Sequence, residues 1–154
     1  MAKRGDTRPK VCVNRRARHD YDFEDRFEAG VVLVGSEVKA LREGKGNLVD
    51  AYVRLRSGRA EVVNLEISAY SHDATGAHEP RRVRPLLLHA AEIQRLERRI
   101  KEKGLVLIPL SVYFKGPWAK LEVGVGRGRK RHDKREVLKK KEARRDVDRE
   151  LRRR

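Results

Sequence analysis

LVLIPLSVYFKGPWAKLEVGV, Leu105 to Val125, reads as two strands folded about a turn. Leu105 to Phe114 is dense in branched and aromatic residues, Lys115-Gly116-Pro117 is turn chemistry, and Trp118 to Val125 alternates apolar with polar residues. Upstream, Leu86 to Lys103 is expected to be an amphipathic helix, because Leu88, Ala91, Ile93, Leu96 and Ile100 recur near helical spacing and Gly104 supplies a stop. Residues 71–85 mix Ser, His, Asp, Gly, Glu, Pro and Arg without period, which predicts a long loop. Before that loop, Asn47 to Leu55 and Ala60 to Ile67 form a hairpin about Ser57-Gly58.

Further toward the N-terminus, Ser36 is expected to cap a short helix, Glu37 to Arg42, ended by Gly44. Phe27 to Val34 is expected as strand with a bulge at Gly30, and Tyr21 to Phe23 and Val11 to Asn14 as shorter strands. Six or so short antiparallel strands with one or two helices laid on them predict a mainly β fold, a small closed OB-like β-barrel, since closure removes exposed sheet edges. The expected organisation is a flexible leader over 1–8, the barrel over 9–126 and a basic tail over 127–154.

That tail holds fifteen of the thirty-nine Lys and Arg residues but only six of the twenty-three carboxylates, so it carries +9 of the net +16. Apart from Val137, Leu138, Ala143, Val147 and Leu151 it has almost nothing to bury, and burial cannot offset the entropy of ordering it. Glu136 and Lys140 make a favourable i,i+4 pair, and no Gly or Pro interrupts the run from Asp133 onward. The expectation is a segment disordered when free and helical when bound. The body carries the remaining +7, so a polyanion, RNA or DNA, is the first partner to consider.

Cys12 is the lone cysteine and cannot form an internal disulfide. No Cys/His set has zinc spacing, so a reducing, cytoplasmic location is expected. The apolar run Leu105 to Leu110 is broken by Pro109 and is too short to cross a bilayer, which argues against a membrane partner. His72, Asp73, His78, Glu79 and His89 do not form a metal motif, and no cofactor fingerprint is present: Gly44-Lys45-Gly46 and Gly124 to Arg129 fit neither a Walker A nor a dinucleotide loop. The first is read as a helix stop, the second as a hinge where the last strand leaves the barrel. His19-Asp20 beside Arg15, Arg16 and Arg18 could be drawn as a general acid/base pair for phosphodiester cleavage. On a strand, however, neighbours point to opposite faces and cannot act on one atom.

Asn14-Arg15-Arg16-Ala17-Arg18-His19-Asp20-Tyr21, Phe27-Glu28-Ala29-Gly30 and Gly35-Ser36-Glu37-Val38-Lys39-Ala40-Leu41-Arg42 together closely resemble the small protein B family, the SsrA-binding proteins of bacterial trans-translation. Further matches lie at Asn47-Leu48, Asp50 to Val53, Arg84 to His89, Tyr113-Phe114-Lys115 and Gly128 to Arg135. The resemblance implies an OB-fold, non-enzymatic RNA-binding adaptor, acting as a monomer without a cofactor, that delivers transfer-messenger RNA to stalled ribosomes. Its partners would be the tRNA-like domain of that RNA, the ribosome with its small-subunit RNA at the decoding site and, indirectly, elongation factor Tu carrying the alanylated RNA. It also implies an RNA face using Asn14, Glu28, Leu87 and Lys120, beside the basic cluster Arg15, Arg16, Arg18 and His19. The tail residues Gly128, Arg129, Lys130, His132, Asp133, Lys134 and Arg135 would meet the ribosome, with His132 available to stack on a base. Tyr52 falls on a position implicated in the family's function, where a core tyrosine serves equally well as an account. The alternative from another class is a structural ribosomal protein with a basic extension.

Overall fold

The computed structural model describes residues 9–69, 78–129 and 131–153, with side chains in the last segment from Arg135 onward. In chain order the elements are β1 (Lys10–Val13), α1 (Arg15–Asp20), β2 (Tyr21–Val31), α2 (Gly35–Arg42), β3 (Gly46–Asn47), β4 (Tyr52–Arg56), β5 (Arg59–Val63) and β6 (Glu66–Ile67). They continue with β7 (Arg84–Leu87), α3 (Ala90–Lys103), β8 (Val106–Lys115), β9 (Trp118–Gly128) and α4 (Arg131–Arg153). The expected leader over 1–8 lies outside the described residues.

The strand pairings return on themselves. β8 pairs with β9, β9 with β2, β2 with β7, β7 with β5, β5 with β4, and β4 again with β8 through Val53 and Leu107, all antiparallel. β1 adds to β8 beyond the β4 contact, and β3 with β6 makes a separate two-stranded piece. The result is the mainly β, OB-like ring that the alternating strands predict. In β9, Ala119, Leu121, Val123 and Val125 point inward and are buried, while Trp118, Lys120 and Glu122 occupy the opposite face. Leu41, Leu48, Leu65, Ile67 and Val62 close the same core. Each such large side chain removed from water contributes roughly 1.5–3 kcal/mol.

Pro109 sits in the middle of β8, where it has no N–H to give. A register shift between Pro109 and Ser111 absorbs it. The carbonyls freed by that irregularity are taken by one residue: Asn14 donates its backbone N–H to the Leu110 carbonyl at 2.8 Å and its Nδ2 to the Pro109 carbonyl at 3.1 Å. Around the helices, Glu37 of α2 is wholly buried and accepts from Arg82 Nη2 at 2.7 Å and from the equally buried Arg84 Nε. Arg84 also donates to the carbonyls of Leu65, Arg82 and Pro80, so its guanidinium is satisfied inside the protein. Arg42 at the end of α2 lies 4.1 Å over the Phe114 ring.

Several local expectations are corrected. Arg15 to Asp20 is a helix, capped by Asn14. Ser36 lies inside α2, whose cap residue is Val34, and the Ser36 hydroxyl instead donates to His78 Nδ1 at 3.0 Å. Gly30 is regular strand paired with Leu87 and Lys120; the bulge in β2 falls between Phe23 and Asp25. Asn47 to Leu55 divides into β3 and β4. Arg84 to Leu87 is strand, so the amphipathic helix begins at Ala90 and not at Leu86. The glycines after Val123 are no hinge, because β9 runs unbroken to Gly128. Gly124 and Gly126 are instead points of close approach: a Cβ would sit 2.6 Å from the Phe23 ring at the first and 2.1 Å from the Asp22 carbonyl oxygen at the second. Of the long loop over 71–85, residues 71–77 with His72 and Asp73 lie outside the described residues.

Candidate nucleic-acid interface

The outward faces of β7, β2, β9, β8 and β1 meet in register. Leu87 is opposite Gly30, Gly30 opposite Lys120, Lys120 opposite Tyr113 and Tyr113 opposite Lys10, a single row across five strands. The adjacent row holds Glu28, Glu122 and Ser111, again directly paired. Glu28, Leu87 and Lys120, drawn from three distant stretches of sequence, are thereby brought to one surface.

Glu28 is the hub of that surface. Its Oε2 accepts from the Tyr113 hydroxyl, and its Oε1 lies 3.5 Å from Lys115 Nζ and 4.0 Å from Lys120 Nζ. Partial burial pushes its carboxyl pKa up, but the Tyr113 hydrogen bond and the charges of Lys115 and Lys120 outweigh that and hold it below the usual glutamate value. Glu122 repeats the arrangement: it accepts from the Ser111 hydroxyl at 2.9 Å and pairs with Lys10 and Arg26 at 3.3 Å each. Burial again opposes, and Ser111, Lys10 and Arg26 prevail, so this carboxyl too is held low. Two carboxylates directly opposite one another would repel. Here each is flanked by two cations and a hydroxyl, so both stay ionised at neutral pH.

Leu87 is 63% exposed and rests over Gly30, where a Cβ would come within 3.2 Å of the Leu87 Cβ. The lack of a side chain at Gly30 lets the leucine lie down beside Lys120. Next to it, a groove of about 740 Å³ runs between Glu28, Gly30, Leu87 and Lys120 on one side and Arg59, Glu61, His89 and Glu92 on the other. An exposed leucine, a positioned carboxylate and two lysines can together contact a nucleotide's apolar edge, its amino groups and its phosphate.

Asn14 is placed differently. It is 3% exposed, its Oδ1 accepts from the Ala17 N–H at 3.1 Å, and its Nδ2 serves the carbonyls of Leu48 and Pro109 at 3.1 Å each. Its polar atoms are committed to the interior, so it sets the start of α1 and offers no side-chain contact to a ligand. On α1, Arg15, Arg16 and Arg18 are exposed. His19 and Asp20, expected on opposite faces of a strand, touch: Asp20 accepts from His19 Nδ1 at 3.1 Å and from Arg16 Nε at 3.2 Å. The helix, which turns successive side chains by about 100° and not 180°, is the reason.

The tail begins stitched to this helix. Gly128 pairs with Tyr21, the Arg129 N–H donates to the Asp20 carbonyl at 2.8 Å, and Arg129 Nη1 reaches the His19 carbonyl at 3.4 Å. Lys130 and the side chains of His132, Asp133 and Lys134 lie outside the described residues. Arg135 is exposed on α4, a helix whose Leu138, Val147 and Leu151 are also exposed. Tyr52 is 40% exposed and so is not the core tyrosine considered above.

Sequence reasoning missed Glu122, Tyr113 and Lys115. Tyr113 and Lys115 lay in a stretch that matches the family without being singled out as site residues, and for Glu122 the signal was the alternation of β9, which sets it on the same face as Lys120. Elsewhere, His78 uses both ring nitrogens, Nδ1 for Ser36 and Nε2 for the Ile67 carbonyl at 2.8 Å, and no cluster among the described residues has the make-up of a metal site. Burial pushes the Cys12 thiol up to about 11, against a smaller lowering by its backbone bond with Leu48, so it stays protonated. No helix among the described residues is long and apolar enough to cross a membrane.

Known proteins are similar to this chain over nearly its whole length. The SsrA-binding protein of Syntrophobacter fumaroxidans is 51% identical over 144 residues, covering 94% of this chain and 89% of its own length. That of Microcystis aeruginosa is 47% identical over 154 residues, 99% of this chain and all of its own. A chain from a solved structure described as "tmRNA-SmpB: a journey to the center of the bacterial ribosome" superposes with a TM-score of 0.66 at 41% identity, over 82% of this chain and 92% of that one. The model of the family described as SmpB protein matches residues 11–153, and with that span and relatives this similar along nearly the whole chain, the chain belongs to the SmpB family.

Proposed function

We propose that this chain is an RNA-binding adaptor of trans-translation. It holds the tRNA-like domain of transfer-messenger RNA on the barrel face around Glu28, Leu87 and Lys120 and brings it to stalled ribosomes. Its tail probes the empty decoding site and message channel. The observation that carries the reading is the registered row Leu87–Gly30–Lys120–Tyr113 with Glu28 beside it. A rigid sheet presents two carboxylates, one leucine and several cations at fixed spacing, which suits recognition better than charge alone.

The chemistry is binding, with no reacting group: Glu28 is ionised and accepts from base amino groups, which a lysine cannot address. Lys115 and Lys120 neutralise phosphate, and the exposed arginines of α1 widen the basic surface. Asn14 acts through position, since it fixes where α1 starts. The tail, +9 over 127–154, is disordered when free and is held as a helix when bound, with Lys130, His132, Asp133, Lys134 and Arg135 against ribosomal RNA. The site of action is the cytoplasm, where ribosomes work.

Deleting residues 132–154 separates the two roles. Filter binding of the isolated tRNA-like domain should stay nearly intact, while peptide tagging on ribosomes with truncated message should collapse. A truncated protein that tags normally would remove the sensing role from the tail. In the full chain, Glu28→Ala and Leu87→Asp should each weaken binding of the tRNA-like domain without unfolding the barrel; normal binding by both would sink the assignment of that face.

A further inference from the structure

Trp118 is the single tryptophan of the chain and is 69% exposed, more than any other large apolar residue among the described residues. An indole offers a large area to bury, so a domain of this size that leaves it in water forgoes one of its most favourable burials. Its place on the sheet is informative. Trp118 opens β9 directly opposite Lys115 of β8, at the hairpin turned by Gly116 at φ 61°. Two residues along the same strand, and therefore on the same face, is Lys120. Lys115 and Lys120 are the two cations on Glu28. The indole thus continues the Leu87, Lys120 and Glu28 surface to the hairpin tip, with a cation on either side to draw phosphate.

We propose that Trp118 is a stacking platform for an unpaired base of the RNA held on this face, a proposal that rests on the RNA-binding reading above. An aromatic plane flanked by lysines suits a nucleotide: the cations meet the phosphate and the ring meets the base. A paired base inside a duplex has both faces covered by its neighbours, so the base taken here is unstacked, in a loop or at a helix end. Leu87 and Trp118 then bracket Glu28 and Lys120, and the RNA contact covers the sheet from β7 to the tip of the β8–β9 hairpin.

The lone tryptophan makes the test direct, because emission excited at wavelengths that tyrosine does not absorb reports on Trp118 alone. The protein is titrated with the purified tRNA-like domain of transfer-messenger RNA at fixed salt, with filter binding in parallel. Stacking on a base quenches indole emission, so the emission should fall and saturate at the filter-binding midpoint. Trp118→Ala should weaken binding on the order of ten- to a hundredfold, and Trp118→Phe should recover most of that loss. Circular dichroism and the melting temperature of both variants should match the parent. Unchanged emission on a bound complex, or a Trp118→Ala variant that binds as the parent does, overturns the stacking and leaves the RNA reading standing. An emission change seen only with ribosomes also overturns it, since the platform would then serve another partner. If the unaltered protein fails to retain the RNA on the filter, the RNA reading itself falls and the platform with it.

Discussion

The sheet face and the tail helix are both basic, yet they are built in opposite ways. On the face each carboxylate is shared by two cations: Lys115 and Lys120 meet Glu28, and Lys10 and Arg26 meet Glu122. Those cations stand on strands that are buried underneath and registered to neighbours far away in sequence. In α4, Leu138 is 43%, Val147 55% and Leu151 67% exposed, and the ion pair of Arg149 with Asp146 at 3.7 Å is local and open to water. The face therefore presents charge at fixed positions, and the tail presents charge in excess. The first arrangement can select among RNA shapes; the second can follow any polyanion that gives it something to lie against.

The largest effect should come from attacking what makes the body rigid. Arg84→Ala takes the wholly buried guanidinium from Glu37 and leaves it Arg82 alone. Removing one member of a buried ion pair is destabilising by about 3–5 kcal/mol, with Arg82 keeping the loss at the lower end. Urea unfolding followed by circular dichroism should show the midpoint falling accordingly. A loss within about 0.5 kcal/mol, the range of an ordinary surface substitution, would mean that water relieves Glu37 and that the α2 anchorage is looser than the structure shows.

A smaller effect should follow pH. Glu28 and Glu122 have folded pKa values below the ordinary 4.5, so their contribution to stability is present above that value and is lost as pH falls through the lower folded values. Melting temperatures taken between pH 6 and pH 3 should therefore drop on the acid side. Glu28→Gln with Glu122→Gln should flatten that drop; an equally steep acid limb in the double variant would place the sensitivity elsewhere.

The smallest effect should come from the tail. Removing residues 131–154 should change the urea midpoint of the body by no more than about 0.5 kcal/mol, the usual range for changes that touch no core. A larger loss would show that α4 helps hold the barrel, which would erase the distinction between the two regions.

The closing hairpin was legible because Trp118 to Val125 alternates cleanly, and a strand with one face buried has little choice of register. Elements whose signals are short or mixed were not. Leu86-Leu87-Leu88 is an apolar run that fits strand and helix equally, and only the pairing of β7 with β2 on one side and β5 on the other decides for strand. Asn14 carried a helix signal in its capping chemistry, but six residues of Arg, Ala, His and Asp hold no apolar period to support it. At the site, Glu28, Leu87 and Lys120 could be named through resemblance to a family, while the contacts of Tyr113 and Lys115 with Glu28, and the place of Glu122 beside it, become visible only when three strands are laid side by side. A row across a sheet is a property of pairing, and pairing between residues such as Tyr113 and Lys10 is not written in either segment alone.

The ring also fixes when the protein can fold during its own synthesis. β2 is made early but pairs with β9 from Tyr21–Gly128 to Gly30–Lys120, and β1 and β4 wait for β8. A nascent chain that stops before residue 118 can pair β4 with β5, β5 with β7, β7 with β2, and β8 with β1 and β4. Without β9 the long edges of β2 and β8 stay open and the ring cannot close, and that unpaired backbone is exposed to proteases and to other unfinished chains. Closure becomes possible only once β9 has been made, so for this protein a copy that stops short of it is not a weaker version of the product but a different and adhesive object.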